Sequence, residues 1–195
     1  MAKKKAFDEM FLNATVMTAA DVGIEFLRTK QVAELAGFSE ATLFRAFETK
    51  EDLLCSTFLW IDRELMQILN MIGEARGEDG CVPPNALQTV WERLCGHLFS
   101  RRERAKYWIR FRYSSLYTDE IKEKREQCNS DVREALSKTF GGLTAEQTEM
   151  LLQYVLEMTV FLAEKSDCEQ VSELQQTQSC IWAAASAAAK EMRPA

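Results

Sequence analysis

Apolar side chains recur every three or four positions along most of the chain, the spacing that gathers them on one face of an α-helix. Two long stretches near the amino terminus show this pattern, and each predicts a helix with one buried face. The first predicted helix spans residues 6–22 and ends at Gly23. Its apolar stripe consists of Phe7, Met10, Phe11, Ala14, Met17 and Val22. After Thr49, which can cap a helix, a second stripe consists of Leu54, Phe58, Ile61, Leu65, Ile68 and Ile72.

Between these two helices the sequence predicts two short helices joined by a tight turn. The first spans Lys30 to Ala36, with Thr29 as its N-cap and Gly37 as its end. The second spans Glu40 to Phe47, with Ser39 as its N-cap. Two short helices joined by a three-residue turn that contains glycine are typical of the helix-turn-helix, whose second helix enters the major groove of DNA.

The rest of the chain predicts five further helices, at about residues 85–99, 103–117, 119–140, 145–165 and 171–191. A loop with three glycines and the adjacent Pro83 and Pro84 precedes them, and the chain holds only 8 Gly and 3 Pro. The apolar runs are shorter than the roughly 20 residues of a membrane helix, and no apolar stretch follows the N-terminal lysines. We therefore expect an all-α, cytoplasmic protein of about nine helices.

The residues typical of catalytic and metal sites are scarce. Six cysteines occur singly and His97 is the one histidine, which is not the spacing of a zinc site. No catalytic residue, metal site or cofactor is expected, and we do not expect an enzyme. In a reducing compartment the cysteines would act as small hydrophobic residues, and a thiol sensor is the alternative.

The charge balance argues against broad affinity for nucleic acid. The chain carries a net charge of -6, and residues 1–60 contain seven Lys and Arg against nine Asp and Glu. Since phosphate neutralisation supplies most non-specific DNA affinity, a DNA-binding face has to come from the placement of a few basic residues. Overall acidity would also lower affinity for random DNA.

Residues 23–54 read GIEFLRTKQVAELAGFSEATLFRAFETKEDLL, which resembles the DNA-binding signature of the TetR (tetracycline-repressor) family. The resemblance implies a three-helix DNA-binding domain at residues 1–50 and a helical effector-binding and dimerisation domain at residues 51–195. It also implies a homodimer that binds a palindromic DNA operator, typically as a repressor that a small molecule releases. Activation of transcription stays open as an alternative, because the direction of regulation depends on where the operator lies relative to a promoter.

The resemblance also implies a set of DNA-contacting residues. Thr29, Thr42 and Lys50 would contact phosphates. The groove-reading surface would include Lys30, Glu40, Ala41 and Arg45.

Three positions depart from the family pattern. Phe44 stands where the family typically has Tyr, and Ala46 stands in place of His or Tyr, so two polar phosphate contacts are lost. Arg28 replaces a small hydroxyl residue and would restore charge.

The candidate ligand site centres on residues 101–113, which hold six basic residues, one acid and four aromatics. Helical spacing puts Trp108, Phe111 and Ser115 on one face, where they would line an amphipathic pocket, and an inward Arg110 or Arg112 would favour an anion. Alternatively, the aromatics are core and the arginines a solvated face. The candidate lining residues are Trp60, Trp91, Phe99, Trp108, Phe111, Arg112 and Ser115.

Residues 145–165 are apolar on two faces, and one face is more than a monomer core needs. One stripe holds Leu151, Val155, Met158 and Leu162, and the other holds Leu152, Leu156, Val160 and Ala163. The last predicted helix adds Leu174, Ile181, Trp182 and Ala185. These two helices resemble the pair that forms a four-helix dimer interface in the family. A large monomer core is the alternative.

Two other classes of function remain open on sequence grounds. One is a helical small-molecule-binding protein or enzyme that does not bind DNA, and the other is a purely structural dimer. The absence of a recognisable nucleophile, metal set or phosphate loop argues against an enzyme.

Overall fold

The computed structural model describes residues 2–127 and 130–165, together with positions 183–185, 187, 188 and 191. Residues 2–127 and 130–165 form nine α-helices, the six later described positions are helical too, and no described residue lies in a β-strand, so the predicted all-α class is confirmed. The helices are α1 (Ala2–Val22), α2 (Thr29–Ala36), α3 (Glu40–Ala46), α4 (Lys50–Glu74), α5 (Pro84–Ser100), α6 (Arg102–Arg112), α7 (Asp119–Gln127), α8 (Ser130–Thr139) and α9 (Ala145–Lys165). None of these helices combines the length and apolar character needed to span a bilayer.

Two predicted helices extend into parts of the chain that are not described. The stretch predicted at 119–140 is helical as α7 and α8, on either side of residues 128 and 129, which lie outside the described residues. Most of the predicted helix 171–191 lies outside them as well, and its six described positions are helical. Of the dimer candidates, Leu174, Ile181 and Trp182 lie outside the described residues.

Helix α6 ends five residues earlier than predicted. The backbone N–H of Ser114 and its hydroxyl both donate to the carbonyl of Phe111, at 3.0 and 2.7 Å. This local bonding competes with the helical i to i−4 pattern, as serine side chains commonly do at helix ends. The prediction that Ser115 shares a helical face with Trp108 and Phe111 was therefore wrong, and Ser115 is exposed beyond the helix.

Helix α1 buries only part of the predicted stripe: Phe11 and Ala14 are buried, whereas Val22 is 38% exposed. Met10 and Met17 are 48% and 52% exposed, whereas Thr15 and Thr18 are buried. The two threonine hydroxyls donate to the carbonyls of Phe11 and Ala14, both at 2.8 Å. A threonine whose hydroxyl is bonded within its own helix is buried without an unpaired polar group, so counting threonine as polar misplaces the face.

Helix α4 is the central packing element, and it contacts α1, α5, α6 and α8. Its predicted stripe is confirmed, since five of the six positions are buried and Ile68 is half-buried. Phe58 stacks on Phe111 of α6 at a centroid distance of 4.6 Å and an interplanar angle of 16°. Thr49 caps the helix as predicted, because its hydroxyl accepts the N–H of Asp52. The helix therefore joins the N-terminal helices to the rest of the fold.

A buried ion pair lies on the same helix. One oxygen of Asp62 accepts hydrogen bonds from Trp108 Nε1 at 2.9 Å and from Arg125 Nε at 3.0 Å. The side chains of Asp62 and Arg125 are each only 5% exposed. Arg125 keeps its charge inside the protein, and the Asp62 carboxylate offsets the free-energy cost of burying that charge.

We predict that Asp62→Ala destabilises the protein by about 3–5 kcal/mol, because it leaves a buried guanidinium without its carboxylate. The measurement is the free energy of unfolding from urea titration followed by circular dichroism. Glu74→Ala, which removes an exposed carboxylate from the same helix, is the matched control and should change the free energy by less than about 0.5 kcal/mol. Equal effects of the two substitutions would contradict a special role for Asp62.

Candidate DNA-binding interface and ligand site

The turn between α2 and α3 depends on one glycine. Gly37 adopts φ +81° and ψ 25°, in the left-handed region that glycine occupies without steric cost. Its N–H bonds the carbonyls of Ala33 and Glu34, and the N–H of Phe38 bonds Ala33 at 2.9 Å. These bonds close the end of α2 and turn the chain directly into α3.

Helix α3 is capped as predicted by Ser39, whose hydroxyl accepts the N–H of Thr42 at 3.2 Å. The prediction that Thr29 caps α2 was wrong. The N-cap is Arg28, which makes no side-chain cap bond, and the Thr29 hydroxyl instead donates to Glu40 at the start of α3. This bond joins the first residues of the two helices, which fixes their relative position.

The inner side of α3 rests on aromatic side chains. Leu43 is fully buried and Phe47 is 6% exposed. Phe11 of α1 contacts Phe47 and Phe38, with ring centroids 6.2 and 5.3 Å apart. Phe7 adds edge contacts to the same cluster. The cluster fixes which side of α3 faces inward.

The opposite side of α3 faces solvent. Ala41 and Arg45 are exposed, Phe44 is 43% exposed, and Thr42 and Glu40 are half-buried. An exposed short helix with a free arginine and an apolar ring presents the groups that read base edges and thymine methyl groups. The predicted groove-reading residues of α3 therefore share one accessible surface, and their contact with DNA stays a prediction.

The flanking basic residues surround that surface. Arg28 is exposed, and Lys30 has a 74% exposed side chain at 3.9 Å from Glu34. Lys50, the first residue of α4, is half-buried, and its ammonium donates to the carbonyl of Glu25 at 3.4 Å. A weak surface pair and one long backbone bond leave both lysines able to turn towards phosphate at small cost.

A polar network that the sequence did not predict links α1, α4, α5 and α6. Arg104 donates to both oxygens of Glu64 at 2.8 and 2.6 Å and to Asn13 Oδ1 at 3.0 Å. His97 Nε2 lies 3.4 Å from Glu64, and the Arg104 guanidinium lies 4.1 Å from the centre of the Trp60 ring. Burial raises the pKa of Glu64, but the hydrogen bonds from His97 and Arg104 outweigh burial and hold it below its ordinary value. The network spans four helices, so periodicity within one helix gives no sign of it.

The predicted ligand residues have different surroundings and do not share one cavity. Trp108 and Phe111 are fully buried core, and Trp60 lies under Arg104. Trp91 lines a small apolar cavity of about 40 Å³ between α4, α5 and α9. Phe99 borders a groove beside α1.

Arg112 lines a separate cavity of about 320 Å³ at the junction of α6, α7 and α9. Its distal guanidinium lies 3.2 Å from Glu157. A ligand role for any of the predicted residues stays a prediction.

The predicted dimer residues of α9 lie between the core and solvent. Leu151 is buried, whereas Val155, Met158 and Leu162 are half-buried. Ala185 is 3% exposed and packs with Leu143 and Leu151. The sequence analysis missed the most exposed apolar side chains of this helix, which are Met150, Tyr154 and Phe161 at 55%, 39% and 49%.

Residues 11–56 match the family model described as "Bacterial regulatory proteins, tetR family". The matched segment covers most of α1, the helix-turn-helix and the start of α4. A comparison with curated proteins finds no match.

Solved structures share the fold over nearly the whole chain. A TetR family transcription regulator from Marinobacter aquaeolei VT8 is 25% identical, with a TM-score of 0.76 over 96% of this chain and 98% of the other. The transcriptional regulator FadR from Bacillus subtilis, in complex with stearoyl-CoA, is 15% identical, with a TM-score of 0.68 over 92% and 98%. FadR from Bacillus halodurans is 16% identical, with a TM-score of 0.66 over 92% and 94%.

A helix-turn-helix whose second helix is exposed is the geometry that DNA-binding proteins use to enter the major groove. Residues 11–56 thus match the tetR family model, and the chain shares its fold with TetR family transcription regulators.

Burial makes one thiol unreactive. Cys95 is 1% exposed, and burial, followed by the nearby charge of Glu92, raises its pKa to about 12. Only the thiolate reacts, and at pH 8 it would be about one Cys95 side chain in ten thousand.

We predict that Cys95 resists an aromatic disulfide reagent at pH 8 in the folded protein and reacts within minutes in urea, as mass spectrometry of the digested protein would show. Because its pKa is about 12, the thiol of folded Cys95 is still almost entirely protonated at pH 9, so labelling should stay slow there as well. Rapid labelling of folded Cys95 at pH 8 would contradict this prediction.

Proposed function

We propose that the protein binds a palindromic DNA operator as a homodimer and represses transcription until a small molecule releases it. The observation that carries the proposal is the outward face of α3, where Ala41, Phe44 and Arg45 are exposed. Within the proposal, residues 1–50 bind DNA and residues 51–195 bind the effector and dimerise.

The proposed DNA contacts divide into two kinds. Arg45, Phe44 and Ala41 enter the major groove, where arginine pairs with guanine and an apolar side chain packs on thymine methyl groups. Lys50 and Thr42 bind phosphates, with Arg28, Thr29 and Lys30 beside them and Glu40 at the edge of the groove surface. Phosphate contacts position the protein, and base contacts give sequence specificity.

Dimerisation through α9 is supported by its exposed apolar side chains. Met150, Tyr154 and Phe161 add to the half-buried Val155, Met158 and Leu162, and together they make an apolar face that water solvates poorly. A two-fold axis along this face would pair the same helix from both copies. Two α3 helices would then reach half-sites about 34–36 Å apart.

Coupling between effector and DNA is supported by direct contacts between α6 and α1. Arg104 bonds Asn13, and Arg110 lies 3.4 Å from the carbonyl of Ala19. A shift of α6 would therefore move α1, on which α3 rests through Phe11. The FadR structure with stearoyl-CoA shows that a chain of this fold holds a small molecule. The effector releases DNA only if it binds more tightly to the conformation that does not fit the operator.

We predict that Arg45→Ala weakens operator binding by about 1–3 kcal/mol and relaxes specificity at one base pair, whereas Lys50→Ala weakens binding to all sequences and lowers the salt slope by about 1. The operator is first selected with wild-type protein from a random DNA pool. Affinity is then measured by fluorescence anisotropy at several salt concentrations.

The matched controls for this experiment are Arg93→Ala and Lys138→Ala, which remove exposed basic residues of α5 and α8. Both should bind the selected DNA like wild type. If wild-type protein selects no sequence from the pool, or if Arg45→Ala and Lys50→Ala both bind undiminished, the proposed DNA interface is wrong.

We predict that the double substitution Met150→Glu and Tyr154→Glu converts the dimer to a monomer, because two like charges would meet their symmetry mates across the interface. Sedimentation velocity measures the change in mass. Leu35→Glu, which places one charge at a 59% exposed leucine of α2, is the control and should remain a dimer. A wild-type monomer at micromolar concentration would argue against the interface.

A further inference from the structure

We propose that the cavity between α6, α7 and α9 binds a small organic carboxylate through Arg112 and Arg125. This inference rests on the proposed function, because it names the effector site and the chemical class of the effector. The cavity measures about 320 Å³, near the lower end of the roughly 300–1,000 Å³ range of ligand sites, which suits a small molecule.

Two buried nitrogens of arginines that line this cavity have no hydrogen-bond acceptor among the described residues. The side chains of Arg112 and Arg125 are 8% and 5% exposed, and both line the cavity. Nη1 of Arg112 and Nη2 of Arg125 make no hydrogen bond with the residues that the structure describes. A buried donor without an acceptor is costly, and both nitrogens belong to charged groups that hydrogen-bond strongly. Because both side chains line the cavity, a carboxylate there lies beside two guanidinium groups whose hydrogen-bonding capacity the described residues do not exhaust.

Both guanidinium groups are held in place before any ligand arrives. Nη2 of Arg112 lies 3.2 Å from Glu157, and Nε of Arg125 bonds Asp62 at 3.0 Å. Both groups also lie near Trp108, with their central carbons 4.9 and 5.6 Å from the ring centroid. Because the arginines are already ordered, a ligand does not have to immobilise them, and this raises its affinity.

The surrounding charges favour a monoanion over a phosphate dianion. Glu149 and Glu157 also line the cavity, and Glu149 is paired with Arg133 at 2.8 Å. Lys122, which lines the cavity too, is paired with Asp119 at 2.6 Å. The arginines are thus balanced by acidic neighbours, and a dianion would meet two carboxylates nearby. A carboxylate offers two planar acceptor oxygens that match guanidinium N–H groups with a single charge.

The cavity walls favour a ligand with an apolar or aromatic body. Tyr117 is half-buried, and the Arg112 guanidinium lies over its ring at 5.1 Å. Tyr113 forms the outer wall and is 75% exposed, with its hydroxyl 3.2 Å from Glu157. A ring or short chain attached to the carboxylate would pack between these two aromatic side chains.

Isothermal titration calorimetry on the DNA-free, full-length protein tests the inference. The probes are acetate, hexanoate, benzoate and phenylacetate, each paired with its primary amide, and phenyl phosphate. We expect at least one of the larger carboxylates to bind with a Kd below about 1 mM, and its amide to bind at least about tenfold more weakly. The inference is overturned if no carboxylate saturates below about 10 mM, if the amides bind equally well, or if phenyl phosphate binds more tightly than benzoate.

Arg112→Lys keeps the charge beside Glu157 but removes the planar fork, and it should weaken carboxylate binding at least about tenfold. Arg63→Lys, at an exposed arginine of α4 outside the cavity, is the matched control and should bind like wild type. If thermal unfolding shows that Arg112→Lys is not folded, Tyr113→Ala replaces it, since that side chain is largely exposed, and it should weaken benzoate binding several-fold. Unchanged binding by the folded variant would overturn the inference.

The outcome is independent of the DNA-binding proposal, because no DNA is present in the calorimeter. A protein that binds its operator but no carboxylate overturns only this inference. A protein that binds carboxylates but selects no DNA overturns only the proposed regulator function.

Discussion

The burial of α4 along its length is the constraint on which the rest of the structure depends. From Leu53 to Ile72 its inner side chains contact α1 at one end and α5, α6 and α8 along the remainder. A rigid helix packed on both parts of the chain makes their positions depend on each other, since close-packed side chains transmit displacement rather than absorb it. The position of α3, which rests on α1, is therefore linked through α4 to the packing around α6.

Two polar networks link α4 to neighbouring helices. Glu64 and Arg104 link α4 and α6 to Asn13 of α1, whereas Asp62 links α4 to Arg125 and Trp108. A ligand that engages Arg125 would contact a side chain that already bonds Asp62 of α4. The proposed carboxylate site is thus separated from the central helix by one side chain, which gives a short physical route from ligand to α4.

The sequence predicted the local features well where one helix or one turn determines them. Gly37, the Ser39 and Thr49 caps and the stripe of α4 follow from spacing and capping rules, and the structure confirms them. The predictions from sequence failed where side chains form local hydrogen bonds that polarity alone does not predict. Buried threonines changed the face of α1, and the hydroxyl of Ser114 ended α6 before Ser115.

What the sequence by itself determined is the helical class and the helix-turn-helix, because each depends on residues within a few turns of one another. Only the tertiary structure decided which aromatics of residues 101–113 are core, and that Arg112 meets a cavity shared with Arg125. These residues lie on different helices, and no periodicity within one helix encodes the distance between two. The arginine nitrogens that lack an acceptor among the described residues are a property of that packing, so they become visible only once the helices are assembled.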